Sequence, residues 1–102
     1  MRAITANAAA AFKASVPFNQ ANTRVEISGR AVHLFLHNNL IATKFDRQLW
    51  IRTMGWATAT TADRLSGIVP DVHKLKFRRS EPAIYYNGDK LESYDWLMLL
   101  NV

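Results

Sequence analysis

Helical spacing at the start of the chain, two-residue alternation after Pro17 and an Asn87-Gly88 pair near the end together predict an α+β protein. The expected architecture is an N-terminal helix and one short central helix packed on a twisted, mainly antiparallel sheet of about six to eight strands. The 102 residues suit one domain over 1–102, with the helix in 1–17 and a sheet-rich body in 22–102. Apolar residues make up 49% of the chain, enough for a core without staples. The absence of cysteine excludes a disulfide framework, a thiolate metal site and a cysteine nucleophile.

Arg2 and the alanine-rich run after it test as a signal peptide and fail, because Thr5, Asn7 and Lys13 interrupt the apolar stretch. No run approaches the roughly 20 apolar residues that span a bilayer, so a membrane-spanning protein is excluded and no membrane partner is expected, the alternative being that the N-terminal helix lies on a membrane surface or a partner. The segment reads instead as a helix: Thr5 as cap, high propensity over 7–15, and Pro17 as stop. Ile4, Ala8, Phe12 and Val16 form its apolar stripe. Asn19, Gln20, Ala21 and Asn22 make a polar join to the sheet.

Strands are expected over 23–27, 31–37, 40–45 and 48–53, with turns at Asn38-Asn39 and Asp46-Arg47. A two-residue turn at 38–39 sets His37 opposite Leu40, Leu36 opposite Ile41 and Leu34 opposite Thr43. Val32, Leu34, Leu36 and Ile41 then share the core face. Gly55 and Trp56 break the alternation; glycine permits a sharp turn, and the tryptophan is expected to bury its ring beneath it. A short helix starts near Thr60 and Thr61, with Asp63 in its first turn, and ends at Ser66, Gly67 and Pro70. Leu65 and Ile68 are placed to enter the core. Residues 72–79 form a further strand, 83–86 and 89–91 a hairpin about Asn87-Gly88, and 94–100 a final strand or a short helix.

Four segments have a recognisable order: Asn22-Thr23; Leu36-His37-Asn38-Asn39-Leu40-Ile41-Ala42; Gly55-Trp56-Ala57-Thr58-Ala59-Thr60-Thr61 with Arg64-Leu65; and Tyr86-Asn87-Gly88. The chain resembles a family of small tailed-bacteriophage proteins with Leu-His-Gly-Asn-x-Ile-Ala and Gly-Trp-x-Thr-x-Thr-Thr-x-x-Arg-Leu segments. It departs from that pattern at Asn38, where the family has glycine, and at Ser66, where it often has asparagine. The resemblance implies a phage protein made in the host bacterial cytoplasm and assigns it no chemistry.

The charge points to a partner class. Thirteen Lys and Arg against eight Asp and Glu leave a net charge of +5, which favours polyanions. On a strand, Lys74, Lys76 and Arg78 project to one face at roughly 6.6 to 7 Å intervals, near the phosphate repeat of an extended nucleic acid. Arg79 follows them, and Arg64 with Thr60 and Thr61 is a second candidate anion contact at a helix start, or else a partner for Asp63 or Asp71. These residues are the candidate nucleic-acid interface; the alternatives are a plain solvated face or an edge strand guarded by lysines.

A second reading assigns Trp50, Trp56, Tyr85, Tyr86 and Trp96 to a host-protein interface, making the protein an inhibitor or modulator. Catalysis is not expected. His33 and His37 lie about 13 Å apart on a strand and cannot share one metal ion. No glycine-rich phosphate loop, nucleophile elbow or paired-carboxylate motif is present, and Asp89, Glu92 and Asp95 read as turn residues. No cofactor is called for, and the chain is expected to be a monomer or a weak homodimer through a sheet edge.

Overall fold

The computed structural model describes residues 2–99 and has the expected α+β class. Helix α1 (Ala3–Ala14) is followed by strands β1 (Phe18–Gln20), β2 (Thr23–Ser28), β3 (Ala31–Leu36), β4 (Asn39–Phe45) and β5 (Gln48–Ile51). Helix α2 (Ala59–Ser66), a 3-10 turn (Val72–Lys74), and strands β6 (Leu75–Arg78), β7 (Ala83–Tyr86), β8 (Asp89–Lys90) and β9 (Leu97–Leu99) complete it. The strands divide into two antiparallel sheets, one ordered β1-β2-β3-β4-β5-β9 and the other β6-β7-β8, rather than the single sheet expected. The division follows from α2 and Pro70, which carry the chain off the edge of the first sheet before β6 begins.

In α1 the buried residues are Thr5, Ala8, Ala9 and Phe12, while Val16 lies past the helix end and is exposed. A strict four-residue spacing overruns a helix of 3.6 residues per turn, so the stripe drifts back by one position. Thr5 is therefore no cap; Arg2 holds that position without a side-chain bond, and Ser15 closes the helix in the left-handed conformation. The polar join at 19–22 is partly strand, because β1 pairs with β2 across a turn at Ala21-Asn22.

Between β3 and β4 the turn residues are His37 and Asn38, with φ of 50° and 64°, so Leu36 faces Asn39 and Phe35 faces Leu40. A bulge at Leu34/Phe35 then sets Leu34 opposite Ala42, which replaces the expected register and buries both Ile41 and Ala42. Val32, Leu34, Leu36 and Ile41 are buried together as expected. Asp46-Arg47 and Asn87-Gly88 turn with positive φ at all four residues. The segment 94–100 contributes a strand only at Leu97–Leu99, antiparallel to β5, and Leu100 lies outside the described residues.

One continuous core joins Phe12 and Ala8 of α1, Leu65 of α2, the inner residues of the large sheet, and Ile84, Tyr86 and Leu91 of the small one. Gly67, just past the end of α2, lies tight against α1: a β-carbon there would sit 2.9 Å from Ala9 Cβ and 3.0 Å from Thr5 Cγ2. Among the described residues neither α-helix covers the opposite face of the large sheet. Alternation in β3 leaves His33 and Phe35 half-buried on that side while Val32, Leu34 and Leu36 point to the core.

Candidate nucleic-acid interface

The predicted basic strand is real over Leu75–Arg78 only. Lys76 and Arg78 are exposed on its outer face, while Leu75 and Phe77 are half-buried on the inner face. Register across the small sheet sets Lys76 opposite Tyr85, and Tyr85 opposite Lys90 on the far strand. Three strands thus present a row, Lys76-Tyr85-Lys90, with Arg78 one step along. Strands lie about 4.8 Å apart, so the two ammonium stems flank a half-buried tyrosine ring on either side. None of these cations is in an ion pair among the described residues. Lys90 escaped the sequence reading, yet its place follows from Asn87-Gly88: a two-residue turn must set Tyr85 opposite Lys90.

The other expected cations are elsewhere. Lys74 is exposed in the 3-10 turn and borders a cleft with Asn87, Asp89 and Leu97, because the chain is not yet extended there. Arg79 shares the side of Phe77, with its guanidinium carbon 5.7 Å from that ring centroid, so it does not extend the outer row. Arg64 is 3% exposed and is not at the surface. Its Nε donates to Thr23 Oγ1 at 2.9 Å and its Nη1 to Thr5 Oγ1 at 2.9 Å and to Asp63 Oδ2 at 3.0 Å. Thr5 in turn donates to Asp63, and Thr23 donates to Asn22 Oδ1 at 2.8 Å. Asp63 stands in the fifth position of α2 and serves this network rather than the first turn. The helix start belongs to Thr58, whose hydroxyl accepts from Thr61 N at 3.2 Å.

The expected aromatic surface divides in the same way. Tyr86 is buried, and its hydroxyl accepts from Asp71 N at 3.2 Å. Trp50 and Trp96 are half-buried on the open face of the large sheet. There Trp50 lies in a row with Glu26, His33, Thr43 and Met98, while Arg52 stacks 3.9 Å from the Trp96 centroid. Burial lowers the pKa of the Arg52 guanidinium from its ordinary value. Arg24 stacks likewise, 4.3 Å from the Phe35 centroid, and Phe35 meets His33 edge-on at 6.3 Å. Arg24 and Phe35 are opposed by the register of the β2–β3 hairpin, whereas Arg52 and Trp96 are far apart in sequence and no local pattern announces their contact.

Trp56 is 57% exposed, contrary to the buried ring expected beside Gly55. Met54 and Gly55 both hold positive φ, and Trp56 N donates back to Thr53 O at 3.0 Å, so the turn throws the indole outward. The ring borders a cavity of about 560 Å³ between the β3–β4 turn and the start of α2. His33 lies on β3 and is bonded to Thr43, whereas His37 lies past the strand end, in the turn, near Asn22. Among the described residues no three His, Asp or Glu side chains are grouped to hold a metal ion. No described helix is long and apolar enough to cross a membrane.

The sequence model of one family, described as Kyanoviridae Gp96 protein, matches residues 1–97. No curated protein and no solved structure matches the chain.

Proposed function

We propose, for a chain that belongs to the Kyanoviridae Gp96 protein family, that this phage protein is a small non-enzymatic accessory protein that binds nucleic acid through the outer face of its small sheet. The observation that supports the reading best is the row Lys76-Tyr85-Lys90 with Arg78 beside it. Cations at strand spacing follow a phosphate backbone, and a tyrosine between them offers a ring on which a base can stack whatever its identity. The expected binding is therefore insensitive to sequence and steeply weakened by salt, because each neutralised phosphate releases a counterion.

Equilibrium binding of a labelled single-stranded oligonucleotide across a salt series tests this. Reversing Lys76 and Lys90 together to glutamate should weaken binding at low salt and reduce the slope of log K against log salt by about 1.4. A flat salt response in the unaltered protein, or unchanged affinity in the double variant, would refute the proposal.

A second reading has its own support in the open face of the large sheet. Trp50, Trp96 and Met98 there, with Tyr94 nearby and 71% exposed, suit a host-protein interface of aromatic character. Capture of a bacterial protein from nuclease-treated lysate, lost on Trp50→Ala and Trp96→Ala, would support that reading over the first.

A further inference from the structure

The geometry points to a second site, a pocket for a nucleoside 5′-phosphate formed by two adjoining chambers that meet at His37. It goes beyond the basic face and shares no residue with it. The first chamber, about 560 Å³, has the buried side chains of Leu36 and Ile41 as its floor and the exposed indole of Trp56 as a wall. That volume lies in the range of small-molecule sites, roughly 300–1,000 Å³. Asn39, Thr60 and His37 stand at its rim. An apolar floor, one free aromatic face and a few polar groups at the edge match a nucleobase, whose faces are apolar and whose edges donate and accept.

The second chamber, about 300 Å³, is polar and is lined by Asn22, Arg24, Asn38 and, again, His37. Arg24 is fixed in place there. Its Nη1 donates to Asn38 Oδ1 at 2.7 Å, its Nε pairs with Glu26, and its plane lies over the Phe35 ring. A guanidinium and amides held in this way suit a phosphate. Neither chamber has a carboxylate in its own lining; Glu26 takes Arg24 Nε and Asn38 takes Nη1, and Nη2, which has no partner among the described residues, is the group left to meet a phosphate. An apolar side chain from a protein would fill the first chamber and leave the second unused; a nucleotide uses both, with the base against Trp56 and the phosphate toward Arg24.

Calorimetric titration of the full chain with AMP and with adenosine tests the site. AMP should bind saturably and more tightly than adenosine. Trp56→Ala, which removes an exposed ring and no core contact, should weaken both ligands by roughly tenfold. Arg24→Gln should bring AMP down to the affinity of adenosine while leaving adenosine unchanged, which also shows that the variant is folded. The Lys76→Glu, Lys90→Glu variant should bind AMP as the unaltered protein does.

Absence of saturable AMP binding, AMP affinity indifferent to Trp56→Ala, or AMP binding lost with Lys76 and Lys90 would each overturn the pocket. The pocket and the basic face can fail separately: oligonucleotide binding without AMP binding removes the first, and AMP binding without oligonucleotide binding removes the second. An oligo(dA) whose affinity falls with Trp56→Ala identifies a base of a strand as the occupant. AMP binding that falls while the oligonucleotide is unaffected identifies the free nucleotide.

Discussion

Arg64 shows how a single residue can reverse its apparent role on folding. In sequence it reads as an anion contact or a surface ion pair, since its neighbours are Thr60, Thr61 and Asp63. In the fold its guanidinium is sealed between α1, β2 and α2, and two threonine hydroxyls from residues 5 and 23 complete its bonding. No local pattern reveals this, because the partners stand 41 and 59 positions away. Arg64→Met keeps much of the volume but removes the donor to both hydroxyls, which keep only their bonds to Asp63 and Asn22, and leaves Asp63 without its cation. The expected loss is about 2–4 kcal/mol of unfolding free energy, measured by urea denaturation. A loss below about 0.5 kcal/mol would class the arginine with ordinary surface charges.

At the level of elements, the turns were the most legible part of the chain. Asn87-Gly88 and Asp46-Arg47 act as read, and Asn38 does turn the chain, although one residue earlier than expected, with His37 as its partner. That slip has a physical cause: the bulge at Leu34/Phe35 absorbs the odd residue and restores the core face beyond it. Helix contacts were less legible. Gly67 reads as a simple helix stop, yet its missing side chain is what lets the end of α2 approach Thr5 and Ala9. Its backbone is right-handed, so Gly67→Ala meets no conformational barrier and its effect reports the close approach alone. The substitution should cost about 1–3 kcal/mol by overpacking, seen as a lowered Tm in thermal denaturation. Within the candidate interface, the register that put Lys90 beside Tyr85 was available from the turn, whereas Lys74 was misplaced because a 3-10 turn shows no period distinct from a strand over three residues.

For the whole molecule, the two sheets separate two kinds of surface that composition had merged. The net charge of +5 includes cations of two kinds, those on the small-sheet face without an ion pair among the described residues and, on the large sheet, Arg24 and Arg52 lying over aromatic rings. Among the described residues the border strands are short: β1 and β9 have three residues each, β6 has four and β8 has two. Short borders give a second copy little to pair with, so the chain is expected to run as a monomer of 11.6 kDa in size-exclusion chromatography with light scattering. A stable dimer at micromolar concentration would instead direct attention to the open aromatic face as a self-association surface.

The order of the large sheet also bears on how the protein forms. Its first five strands are neighbours both along the chain and in space, so each can pair with the one just before it as synthesis proceeds. The exception is β9, which must return to β5 after residues 52–96 have been made. At roughly 5–20 residues per second, a ribosome gives the meander several seconds to assemble before that last strand emerges. The nascent protein would then wait with one side of β5 unpaired, and closing of β9 would be the step that completes the barrier between a growing chain and its neighbours.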